Sequence, residues 1–128
     1  MKVAASSICW ANNDLPTAIR KAREAGFTAL EPLTFPSEIW DLHGDLRKLD
    51  VKAFKRLFDD NGMTVAALHL GAIMTPTEER RRVLTDYCRR AIEVAHDVGC
   101  KIIVEGGPDR GVQPMRPFLK SLEELVPL

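Results

Sequence analysis

The chain has 128 residues, the length of one domain, and its 45% hydrophobic and 28% charged content is ordinary for a globular protein. Eighteen basic and eighteen acidic residues cancel, so no global field favours nucleic acid or an anionic membrane. Cys9, Cys88 and Cys100 are odd in number without Cys-x-x-Cys spacing, which argues against a disulfide framework or zinc ribbon and for a reducing compartment, by default the cytoplasm.

Met1-Lys2 leads straight into a strand-like run, Val3 to Ile8, with no signal-peptide pattern. A loop carrying Cys9, Trp10, Asn12 and Asn13 follows. Asp14 is placed to cap a helix, Pro16 suits its first turn, and Leu15, Ala18, Ile19, Ala22 and Ala25 repeat at helical spacing up to Gly26. Phe27 to Pro32 reads as a second strand. The stretch from Leu33 to Leu49 has no clean period and is long for a connection, as binding loops and lids often are. Within it, His43 reads as exposed or part of a lid, and Trp40 as a wall against a sugar ring or a seal on the core.

A second helix starts near Asp50, buries Val51, Phe54, Leu57 and Phe58, and stops at Gly62. A third strand runs through Val65-Ala66-Ala67-Leu68-His69. Thr75-Pro76-Thr77-Glu78 has capping-box spacing before a long helix that ends at Gly99. The charges of Glu78-Glu79-Arg80-Arg81-Arg82 read as a solvated face in the first turns of that helix. Lys101 to Glu105 is a fourth strand, followed by a Gly106-Gly107 loop and a last amphipathic stretch. The loop is a weak phosphate-binding candidate through its backbone N–H groups, with no Gly-x-Gly-x-x-Gly or Walker pattern beside it. No apolar run approaches the roughly 20 residues of a membrane span.

Gly26, Gly62 and Gly99 recur 36 and 37 residues apart, each closing a helix just before a strand. Four βα units result, implying a parallel sheet covered by helices, and the strands end in Glu31, His69 and Glu105. Chemistry at the carboxyl ends of parallel strands is the usual arrangement of α/β enzymes.

Three segments, Ala25 to Glu31, Asp60 to His69 and Arg90 to Val104, resemble the sugar phosphate isomerase/epimerase family. Its fold is a xylose isomerase-like TIM barrel. The resemblance implies that residues 1–128 are the N-terminal half of such a barrel, because the full (β/α)8 ring needs about 250 residues. It implies a small sugar, polyol or hydroxy-carbonyl substrate and metal-assisted proton transfer. In that family the metal-holding and proton-moving carboxylates lie mainly in the later units, so the catalytic residues are not assigned here. It also implies Glu31 and His69 as substrate contacts, with His69 a metal ligand in the related apurinic endonucleases.

The residues themselves leave alternatives open. Glu31 binds a substrate hydroxyl or fixes the pocket rim; His69 faces the pocket or is a satisfied core residue. Glu105 stands where the family often has histidine, and would bind substrate or, with His69, a divalent ion such as Mn, Mg, Co or Zn. Trp10 is a wall against a sugar ring or a seal of its loop onto the core, and His96 near a helix C-terminus reads as structural. The enzyme reading stands beside a non-catalytic ligand-binding half-barrel or an inactive remnant. A homodimer would rebuild eight strands with two sets of site residues.

Overall fold

The computed structural model describes residues 3–72, 78–106 and 115–125. The first strand, β1 (Ala5–Ser6), is shorter than expected, because Ser7 to Trp10 wind into a 3-10 turn. Helix α1 (Leu15–Glu24) starts where Asp14 Oδ1 accepts the Thr17 N–H at 2.9 Å, and it buries Leu15, Ala18, Ile19 and Ala22. Strand β2 (Ala29–Glu31), the one-turn helix α2 (Ser37–Trp40) and helix α3 (Val51–Asp60) follow. Asp50 caps α3 by accepting the Ala53 N–H at 3.0 Å, and Phe54 and Phe58 form its buried stripe. Gly26, Gly62 and Gly99 all have positive φ, so the repeated helix-to-strand junction is built on the backbone conformation that glycine adopts without a Cβ clash.

The expected third strand is divided into β3 (Thr64–Val65) and β4 (Leu68–Ala72). The break has a local cause. Ala66 N–H donates to Leu30 O at 2.8 Å, but Pro32 has no N–H with which to make the next rung. Pairing resumes one residue out of step, with His69 N–H donating to Pro32 O at 3.2 Å and Thr34 N–H to His69 O at 2.8 Å. The chain continues through α4 (Glu78–Val98), β5 (Ile103–Gly106) and α5 (Met115–Leu125). Residues 75–77 of the capping box and 107–114 of the glycine loop lie outside the described residues.

All strand pairs are parallel: β1 with β2, β2 with β3, and β4 with β5. An isolated parallel bridge between Leu33 and His69 joins the two sets into one curved sheet. One face packs on the helices, in a core of Ala5, Leu30, Leu68 and Leu70 against Ile19, Phe54, Phe58, Leu84, Cys88 and Val94. The other carries Ser6, Glu31, His69 and Val104, following the strict alternation of strand side chains. That face is the inside of a barrel. The α/β half-barrel architecture expected from the sequence is what the structure has.

Candidate functional site on the inner face

Register brings the polar residues of the inner face together. Ser6 pairs with Glu31 across β1 and β2, and its Oγ–H donates to Glu31 Oε1 at 2.9 Å. From the opposite side His69 Nδ1 lies 3.1 Å from the same oxygen. An ionised carboxylate only accepts, so the shared proton belongs to Nδ1 and the Nε2 lone pair remains. Neither Glu31 Oε2 nor His69 Nε2 has a further hydrogen-bond partner among the described residues. With 23% and 26% of their side chains exposed, Glu31 and His69 offer two acceptor atoms on the inner face, Glu31 from the last residue of β2 and His69 from near the start of β4, which runs on to Ala72 instead of ending at His69.

An aromatic wall adjoins them. Phe35 stands edge-on to His69 at 5.7 Å between ring centroids, and Trp40 is tilted against Phe35 at 5.8 Å. Phe35 can lie there because Gly71, at φ +75°, has no Cβ; one would sit 3.0 Å from its ring. Trp40 is 44% exposed, so it is not a seal on the core.

Trp10 and Glu105 are placed differently. Trp10 is half-buried against the hydrophobic core. His69 pairs with Val104, so Glu105, the next residue of β5, projects to the other face. Its charge acts there on Cys88 of α4, whose thiol burial and Glu105 together push up to about 12. His69 and Glu105 therefore do not converge. Among the described residues no group of three His, Cys, Asp or Glu side chains could hold a metal ion.

Two further readings change. His43 is buried rather than exposed: Ser7 Oγ lies 2.8 Å from its Nδ1, and its Nε2 lies 3.1 Å from Asn13 O. The pair has the spacing of a serine nucleophile and its base, yet Ser7 is fully buried and its Oγ accepts the Leu33 N–H at 2.9 Å. It is a structural bolt. Burial lowers the His43 pKa, against smaller upward effects of the Asn13 carbonyl and Asp14. Arg81 is also buried instead of solvated, and pairs with Glu124 of α5 at 3.1 Å.

The Leu33–Leu49 segment is pinned. Asp45 Oδ2 accepts from Ser37 N–H at 3.0 Å and Oγ–H at 3.1 Å, and Asp45 pairs with Arg47. Burial pushes the Asp45 carboxyl up, but the Arg47 and Ser37 donors outweigh it and hold it well below the usual carboxylate range. Tyr87 of α4 donates its OH to Thr34 O at 2.7 Å and accepts the Leu46 N–H at 3.1 Å. Arg47 lies 5.5 Å over the Tyr87 ring.

The model of the xylose isomerase-like TIM barrel family matches residues 19–128, and the chain belongs to that family. No curated protein matches it. Among solved structures it is similar to a 3-keto-D-glucoside 4-epimerase, YcjR, from E. coli, at 21% identity and a TM-score of 0.69, covering 98% of this chain and 50% of that one. A sugar phosphate isomerase/epimerase from Parabacteroides distasonis is 20% identical with a TM-score of 0.59, covering 97% and 44%. At such identities the likeness is one of fold. The chain spans about half the length of these structures.

Proposed function

We propose that this chain supplies the substrate-holding half of a carbohydrate isomerase/epimerase-type site, taking a small sugar, polyol or hydroxy-carbonyl compound. The observation that carries the reading is the hydrogen-bonded line Ser6–Glu31–His69 on the inner face of the sheet. Family membership and the names of its structural neighbours support the chemistry. Glu31 Oε2 and His69 Nε2 accept from ligand hydroxyls, while Phe35 and Trp40 offer an apolar flank to C–H groups. With its tautomer set by a carboxylate, His69 has the form of a general base for a proton next to a carbonyl. A divalent ion in the assembled site requires ligands beyond the described residues of one copy, and no step here runs through it. Three unpaired cysteines favour a reducing compartment such as the cytoplasm.

A second copy completes the ring in this reading. Among the described residues β1 and β5 each have one unpaired edge, and Val3, Ile8 and Ile102 are exposed at 60%, 53% and 56%. Dimerisation covers the inner face and brings two Glu31–His69 pairs to one mouth.

The test is incubation of the protein with D-fructose or D-xylulose in D2O, followed by proton NMR. Saturable shifts of the His69 resonances and deuterium entering beside the carbonyl are expected, with Glu31→Gln and His69→Asn each weakening binding about tenfold or more. Binding without deuterium entry selects the non-catalytic ligand-binding half-barrel. Absence of binding by the wild-type protein rejects the carbohydrate reading.

A further inference from the structure

Ser6 and Ser7 are adjacent in the chain and serve opposite sides of it. Ser7 Oγ is fully buried between Leu33 N–H and His43, whereas Ser6 Oγ reaches the inner face and donates to Glu31. We propose that Ser6 is a positioning residue of the site. It holds Glu31 Oε1 in place for His69 Nδ1–H, and so leaves Glu31 Oε2 and His69 Nε2 as paired acceptors toward the ligand. This deepens the carbohydrate reading above and rests on it for the identity of the ligand.

The physical case starts from what each group does alone. A glutamate carboxylate rotates freely about its last torsion, and neutral imidazole in water carries its proton mainly on Nε2. Here two donors from flanking strands meet on one oxygen, Ser6 at 2.9 Å and His69 at 3.1 Å. The serine donor is fixed by backbone register, since Ser6 and Glu31 are ladder partners. With Oε1 held from the β1 side, the carboxylate plane is set and the less common Nδ1–H form of His69 is selected. The consequence for the ligand is chemical. Two acceptors facing outward receive adjacent hydroxyl donors and repel phosphate or carboxylate oxygens, so the end of the ligand lying here is an uncharged polyol.

His43 provides the control within the same molecule. Asn13 O only accepts, so His43 carries its proton on Nε2 and takes the Ser7 hydroxyl proton at Nδ1, the reverse of His69.

Long-range proton–nitrogen NMR spectra of the imidazoles at about pH 8, assigned with single histidine variants, read both tautomers without any ligand. The wild-type protein and Ser6→Thr, which keeps the hydroxyl, are expected to show His69 protonated on Nδ1 alone. Ser6→Ala is expected to lose that single pattern and show a mixture with Nε2–H, while the His43 pattern stays unchanged and reports an intact fold. A Ser6→Ala protein with the wild-type His69 pattern overturns the proposal, as does Ser6→Thr departing as far as Ser6→Ala. If D-fructose leaves these resonances unmoved while Ser6→Ala still mixes the tautomers, the positioning role stands and the carbohydrate reading falls.

Discussion

Ser7, His43 and Asn13 form a line that closes in one protonation state. With His43 neutral, Leu33 N–H donates to Ser7 Oγ, the Ser7 hydroxyl donates to Nδ1, and Nε2–H donates to Asn13 O. Protonation puts a hydrogen on Nδ1, and the Ser7 hydroxyl proton loses its acceptor in a fully buried place. Burial accordingly holds the His43 pKa below its ordinary 6.5, although Asp14 and the Asn13 carbonyl pull it up. A folded-state pKa below the unfolded value means that the unfolded chain takes up the proton first. The stability from this bolt is therefore complete above about pH 6.5 and is lost as pH falls through the folded value. Thermal melts from about pH 5 to 8 are expected to show the midpoint falling on the acid side. His43→Asn is expected to be less stable throughout and to lose most of that slope. An unchanged slope in the variant would assign the acid sensitivity to other groups.

At the scale of elements, the segment between β2 and α3 is the part where local reading and structure diverge. Its sequence is aperiodic and long, features that suggest a lid, yet it is tied down both by a distant residue and by bonds within itself. Tyr87 on α4 bonds Thr34 and Leu46, and Asp45 bonds Ser37 and Arg47. Replacing Tyr87 by Phe leaves a buried donor and a buried acceptor without partners, a cost of about 1–3 kcal/mol in stability. Amide exchange across Thr34 to Leu46 is expected to accelerate in that variant, with the Ser6–Glu31–His69 line unaltered. Exchange that speeds up equally everywhere would mean that Tyr87 supports the whole fold and not this segment. The elements with local causes were legible: Asp14 and Asp50 as caps, the junction glycines, and Glu31 as the last residue of β2; His69 was expected to end its strand but stands near the start of β4. The burial of His43 and Arg81 was not, because their partners are on distant elements and no local pattern marks them. The face taken by Glu105 depended on register, which hydrophobic runs alone do not set. Pro32 is a local signal for the divided third strand, through its missing N–H.

At the scale of the molecule, the sheet has edges at β1 and β5 among the described residues and an inner face lined by Ser6, Glu31, His69 and Val104. In the dimer proposed above, a two-fold axis along the barrel axis would set β5 of one copy beside β1 of the other, twice over, keeping every strand parallel. Such closure would satisfy the edge N–H and C=O groups and withdraw Ile102, 56% exposed just before β5, from water. Sedimentation of the wild-type chain is therefore expected to give a dimer. Ile102→Lys, which places a charge in the proposed seam, is expected to shift it toward monomer. Val83→Lys serves as the control, because Val83 is 43% exposed on α4, a helix of the outer layer. If both lysine variants dissociate alike, a general loss of stability explains the effect. If the wild-type chain is a monomer whose β1 and β5 amides exchange slowly, the edges need no second copy.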